Sequence, residues 1–275
     1  MSVKLIAMDL DGTLMMPDHL TVSQRTKSAL MNAHNMGVKT VISTGRTQSV
    51  VKNVVEQIPF VDYVMYSDGA GVFDVQKNKT VHECLIPFET VRKIVEFLNT
   101  LEVFYNIYMN GKIVTQKGRL RYYFNSGLPQ EFVDNYMKNT FIYDDMLSSI
   151  EGKSAELVVG FFNDENDFEK ANEFMKKYTD SLYITSAMKN EFEMTNILAT
   201  KGKTLEFLCQ NNSFFPEEVM AVGDSLNDIP MLDFAGISVS MGNADNECRL
   251  HSKYVTDTNK NDGVAKAIEK FVLKN

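Results

Sequence analysis

The chain has no tryptophan, only three cysteines and four histidines, and no excess of basic charge. The cysteines, Cys84, Cys209 and Cys248, lie without paired spacing, which excludes a disulfide framework or a thiolate zinc site and fits a reducing compartment. Lysines and arginines number 28 against 36 aspartates and glutamates, giving a formal net charge of −8 and a pI near 5.1. A protein that tracks a phosphate backbone needs a basic face to displace counterions, so nucleic acid is not an expected partner. Long apolar runs are missing too. The run at residues 5–10 is broken by Asp9, followed by Asp11, and falls far short of a signal or membrane-spanning segment. The expectation is a soluble, cytoplasmic chain with no membrane partner, monomeric or weakly dimeric. No repeat or low-complexity tract is visible.

What is present is 44% apolar residues in a chain of 275, a size at which a single core begins to divide, so one large domain carrying a smaller one is expected. The sixteen methionines are dispersed and read as core filler. Residues 3–10 form a nearly continuous apolar run that ends in Asp-Gly, the pattern of a buried parallel strand stopping at a turn. Ser23 is placed to cap a helix to about Asn35, with Gly37 just beyond its end. A second buried strand over 38–43, a helix over 47–58 and a third strand over 63–66 complete an alternation that predicts a doubly wound, Rossmann-like parallel sheet of the α/β class, whose ligand site lies beyond the carboxyl ends of the strands.

From about Glu83 the rhythm changes. A helical pattern over 87–101 precedes two strands, 103–109 and 112–116, that flank Asn110-Gly111, a strong hairpin signal. Further strands are expected at 155–161, 182–185 and 192–195, with a helix capped by Asp164 running to 178. This reads as an α+β insertion. The predicted division is 1–82 and 195–275 for the core and 83–194 for the inserted module. After Lys201 the parallel rhythm returns with a helix to about Gln210 and a strand over 219–223.

Four polar clusters sit where predicted strands end or helices begin. In Asp9-Leu10-Asp11-Gly12-Thr13, carboxylates two residues apart on an extended chain point to the same side, so one can attack while the other handles protons. A calcium loop also opens with alternating acids, but it needs glycine at its sixth place and glutamate at its twelfth, which here are Leu14 and Leu20. Ser43-Thr44-Gly45-Arg46 is either an ordinary strand-to-helix turn or a place where a hydroxyl and backbone amides approach a phosphoryl oxygen; Arg46 alone reads equally as a surface ion-pair partner. Lys201-Gly202-Lys203-Thr204 sets a lysine at a helix start, against the macrodipole, as a nearby anion would justify. The second glycine of a Walker loop is absent, since that position is Ile197. Gly223-Asp224-Ser225-Leu226-Asn227-Asp228 reads as a helix cap with first-turn acids or as oxygen ligands for a hard cation.

In this order the four clusters resemble the motifs of haloacid dehalogenase superfamily phosphatases, in particular the Cof-type group. Met241-Gly242-Asn243-Ala244, Tyr254-Val255-Thr256 and Asn261-Asp262-Gly263-Val264 are similar to that group's late signature. The resemblance covers the motifs at both ends, while the middle matches only in size and element pattern. One departure is Ser67-Asp68-Gly69-Ala70, where the family usually has asparagine before the glycine, which leaves a substrate contact at Asp68 open.

The resemblance implies that Asp9 is the nucleophile, forming an aspartyl-phosphate, and that Asp11 is the general acid and base. It implies Mg2+ held by Asp9, the backbone carbonyl of Asp11 and Asp224, with Leu10, Thr44, Gly45, Lys201 and Asn227 binding the phosphoryl oxygens and Asp228 and Ser225 supporting from behind. The inserted module becomes a cap that excludes water and selects the leaving group of a small phosphorylated metabolite, a sugar phosphate or similar. His19, His34, His82 and His251 are assigned surface or structural places. Arg119, Arg121 and Lys153 are either solvated or contacts for a second anionic group. A phosphosugar mutase on the same core and a non-catalytic phosphometabolite-binding regulator are the alternatives.

Overall fold

The computed structural model describes residues 2–122, 130–186 and 190–274. Along the chain come β1 (Leu5–Asp9), β2 (Lys39–Ser43), β3 (Tyr63–Tyr66), β4 (Gly71–Asp74) and β5 (Lys79–Glu83). They are followed by β6 (Val103–Met109), β7 (Lys112–Gln116), β8 (Thr140–Tyr143), β9 (Leu157–Phe162), β10 (Leu182–Thr185) and β11 (Glu191–Asn196). The last three are β12 (Val219–Gly223), β13 (Ile237–Ser240) and β14 (Tyr254–Val255).

Two sheets result. The first has the order β14-β13-β12-β1-β2-β3-β4-β5, parallel from β14 to β3 and antiparallel at β4 and β5. All five residues of β1 are buried, because a central parallel strand is covered on both faces; hence its unbroken apolar run. From β1 the chain steps outward through β2 and β3, then returns and steps the other way through β12, β13 and β14. The direction reverses between β1 and β12, and the carboxyl ends of these two strands open on the crevice where such sheets bind ligands.

The second sheet, in the order β10-β11-β9-β6-β7-β8, is built wholly from strands between β5 and the helix Lys201–Asn212. It is antiparallel apart from the β7–β8 pair. Each sheet has an apolar cluster of its own. Leu5, Ile6, Met8, Val41 and Val222 belong to the first, and Val91, Ile94, Leu98, Val103, Ile107 and Met194 to the second. The β6–β7 hairpin turns at Asn110 (φ +52°) and Gly111 (φ +69°), two consecutive left-handed residues, as the shortest hairpins require.

Ser23 accepts the amide of Thr26 at 3.1 Å and Asp164 that of Asp167 at 2.9 Å, so both expected caps form. The helix expected over 87–101 is shorter, Phe88–Leu98. The β4–β5 hairpin was not expected: four of the five residues of β5 are exposed, so it carries no apolar alternation to read. Among the described residues no helix is long and apolar enough to cross a membrane.

Candidate active site

Asp9 is the last residue of β1, and Asp224 follows directly on β12, its neighbour in the sheet. After Asp9 the chain turns back through residues 10–14, and the turn depends on Gly12, whose φ is +81°. A Cβ there would stand 2.3 Å from Asp224 Oδ2, so only glycine lets the turn pass this close to the acid. The Thr13 hydroxyl donates to Asp224 Oδ1 at 2.5 Å. Asn243 donates through Nδ2 to the Gly12 carbonyl at 2.8 Å, fastening the same turn from the late part of the chain.

Lys201 opens the helix Lys201–Asn212, capped by Thr200, which accepts the Lys203 amide at 3.2 Å. Its ammonium is fully enclosed and donates to Asp9 Oδ1 at 2.8 Å and to Asp228 Oδ1 at 2.7 Å, with Asp68 Oδ1 at 3.9 Å. Burial alone would pull its pKa down, but Asp228, Asp9 and Asp68 outweigh it and hold the group well above the ordinary value. Lys201 is therefore charged. Asp228 also accepts the amides of Asp224 (2.8 Å) and Ser225 (3.1 Å) through Oδ2. Both of its oxygens are thus committed, and it orients the lysine and the strand-end loop.

Asp9, Asp224 and Asp228 each bring a carboxylate oxygen within 4.8 Å of the others. Burial, then the neighbouring Asp228 and Asp224, push Asp9 well above the usual carboxylate range against the pull of Lys201. Burial and Asp228 push Asp224 up to about 7. Asp9, Asp68, Asp224 and Asp228 crowd around a single lysine; this excess of buried negative charge suits a hard divalent cation with oxygen ligands. Asp9 and Asp224 are the carboxylates whose oxygens fit that role, because Asp228 is already spent.

Asp11, which a regular strand would have aimed beside Asp9, is held elsewhere. Arg46 donates to it through Nε (2.8 Å) and Nη2 (2.5 Å), and His19 Nδ1 lies 2.7 Å from Oδ1. The same Nη2 donates to the His19 carbonyl at 2.9 Å. Burial would raise the Asp11 pKa, but Arg46 and His19 together bring it far below the ordinary value. Sequence reasoning left Arg46 open and set His19 aside; both converge on Asp11. Of the other histidines, His82 stacks on Phe207 at 4.1 Å and His251 lies 2.8 Å from Asp233.

Leu10 is fully buried, so only its backbone can face a ligand. Thr44 and Gly45 follow β2, whose Ser43 pairs with Asp9; the Thr44 hydroxyl accepts the Arg46 amide at 3.1 Å. Asn227 donates to Asp68 Oδ1 at 3.1 Å, so Asp68 sits inside the cluster although its motif departs from the expected one. Ser225 Oγ is 3.4 Å from Asp224 Oδ2. Arg119 donates to the carbonyls of Leu101 (2.6 Å) and Asn99 (2.8 Å), Arg121 to the Tyr122 hydroxyl (2.6 Å) and Lys153 to the Ser149 carbonyl (2.7 Å). These three are bonded within the inserted module.

Glu193, on β11, was missed. Its Oε1 and Asp68 Oδ1 each lie 3.4 Å from where a Cβ on Gly45 would stand. Burial, then Asp68 and Glu191, push Glu193 well above the usual range. The sequence signal was Glu191 and Glu193 alternating with Phe192 and Met194, acids on one face of a strand too apolar to be exposed.

The model of a family described as haloacid dehalogenase-like hydrolase matches residues 6–268. The chain is 30% identical over 273 residues to the 5-amino-6-(5-phospho-D-ribitylamino)uracil phosphatase YcsE of Bacillus subtilis, covering 98% of this chain and 96% of that protein. It is 31% identical over 282 residues to phosphatase YwpJ of the same organism, covering 96% and 98%. Among solved structures, a haloacid dehalogenase-like hydrolase from B. subtilis superposes with a TM-score of 0.88 at 29% identity, over 98% of this chain and 100% of that one.

Proposed function

The chain belongs to the haloacid dehalogenase-like hydrolases, and from that membership we propose that it is a magnesium-dependent phosphatase working through an aspartyl-phosphate on Asp9. The observation that carries the reading is the meeting of Asp9 with Lys201, Asp224 and Asp228, drawn from opposite ends of the chain, at the switch point of one sheet.

Asp9 attacks the phosphorus in line; the P–O bond to the leaving alcohol breaks as the P–O bond to Asp9 forms, and Asp11 gives the departing oxygen its proton. Water then attacks the phosphorus, the bond to Asp9 breaks, and Asp11 takes the water's proton. Asp11 as held by Arg46 and His19 is a carboxylate, the form the second half needs. For the first half the bound ester must loosen that ion pair so that Asp11 carries a proton. Thr44, the amides of Leu10 and Gly45, Lys201 and Asn227 hold the phosphoryl oxygens. Held by Asp9, the Asp11 carbonyl and Asp224, magnesium would offset the repulsion between an anionic nucleophile and an anionic ester.

Residues 83–194 act as the cap. Glu156 supports this by joining the two sheets: it accepts the Ser67 hydroxyl (2.8 Å) and the Gly111 amide (2.6 Å), and the Gly111 carbonyl accepts the Ser49 amide (3.2 Å). The substrate is a small hydroxyl-bearing phosphomonoester such as a sugar phosphate; the ribityl phosphate in the name of the B. subtilis relative supports that class. The test is phosphate release from a panel of phosphomonoesters with and without magnesium, for the wild type and Asp9→Asn. Release that needs magnesium and vanishes in Asp9→Asn is expected. Near-normal turnover by the variant would remove Asp9 from the nucleophile's role.

A further inference from the structure

Along β11, Phe192 and Met194 pack into the second sheet's apolar cluster, so the alternation of a strand turns Glu193 to the opposite face. That face meets the first sheet. Glu193 Oε1 and both Asp68 oxygens lie 3.4, 3.4 and 3.5 Å from the point where a Cβ on Gly45 would stand, and Gly45 belongs to the turn after β2 beside Asp9. Glu193 is 8% exposed and Asp68 2%. Glu193, its carboxyl raised by burial, donates to Asp68, yet Glu193 Oε2 and Asp68 Oδ2, both buried, have no hydrogen-bond partner among the described residues. The nearby ammonium of Lys201 is spent on Asp9 and Asp228 and stays 3.9 Å from Asp68. Ser67 and Asp68 both have left-handed backbones, φ +49° and +54°, a conformation that non-glycine residues adopt at a cost and that aims Asp68 at Gly45.

We propose that Glu193 determines specificity for the leaving group, accepting with Asp68 the hydroxyl or ammonium groups carried within a few bonds of the ester oxygen. Leaving groups with a carboxylate or second phosphate there are turned away. The inference rests on the phosphatase reading and names the substrate class of that site. A buried acceptor without a donor is destabilising, and a hydroxyl or ammonium that donates to the two open oxygens relieves this. A second anion at the same place adds like-charge repulsion.

The test compares kcat/KM for esters on the same carbon skeleton: glycerol 3-phosphate and 3-phosphoglycerate, with phosphoethanolamine as the cationic member. The wild type is expected to favour glycerol 3-phosphate and phosphoethanolamine over 3-phosphoglycerate. Glu193→Leu removes both acceptor oxygens at similar volume, and should lower both preference ratios by about tenfold or more. A merely structural glutamate would change all three esters together; an unchanged ratio, or a wild type that favours 3-phosphoglycerate, overturns the proposal while phosphate release leaves the hydrolase reading standing. Should Glu193→Leu fail to fold, Asp68→Asn is read by the same ratios and the same fall is expected. Absence of phosphate release from every ester by the magnesium-loaded wild type would overturn the hydrolase reading and the proposal with it.

Discussion

Removing divalent ions with EDTA and following thermal unfolding between about pH 5 and about pH 8, with and without magnesium, tests the charge balance around Asp224. Its carboxyl is raised from 3.8 to about 7 by burial and by Asp228. A carboxyl raised in the folded chain makes folding take up a proton. The stability this provides is whole below the unfolded value of 3.8 and is lost as the pH rises through about 7. At about 1.4 kcal/mol per tenfold in proton affinity, the metal-free protein loses roughly 4 kcal/mol across that window. Magnesium reverses the loss by compensating the ionised cluster, but near pH 5 it must first displace the proton. That costs about a hundredfold in apparent affinity, or roughly 3 kcal/mol. At about 2–4 °C per kcal/mol for a chain of this size, the magnesium-induced rise in Tm should be about 5–10 °C larger near pH 8 than near pH 5. An equal rise at both, or a larger one in acid, would refute the reasoning.

Lys201→Met leaves the buried carboxylates of Asp9 and Asp228 without their cation; breaking a buried pair from one side costs about 3–5 kcal/mol, so urea unfolding should report that loss and turnover should vanish. Gly12→Ala must place a Cβ 2.3 Å from Asp224 at a φ of +81°. It should weaken magnesium binding by at least about tenfold, measured by calorimetry, even where the variant remains folded.

The parts of this molecule that could be read in advance are those set by local chemistry. β1 was legible because burial on both faces demands an unbroken apolar run, and the β6–β7 hairpin because Asn110-Gly111 supplies two left-handed residues in a row. The convergence of Asp9 and Asp224 followed from parallel topology, since strand-end motifs in one sheet share a rim, while Lys201 reaches it from a helix start. What escaped was set by contacts between distant turns. Nothing in Arg46 or His19 alone says that both will face Asp11, and the alternation around Glu193 marks a buried face without saying what lies opposite. β5, with its exposed residues, carried no pattern at all.

The claim that Asp9 takes the phosphoryl group is tested most directly by quenching Asp11→Asn in acid during turnover of p-nitrophenyl phosphate, whose leaving group needs no proton from Asp11, and mapping its peptides by mass spectrometry. With the base for the second half removed, the peptide containing Asp9 should carry the mass of one phosphoryl group, on Asp9 itself. A phosphoryl group found on another residue, or phosphate released at the wild-type rate with Asp9 never modified, would contradict the account.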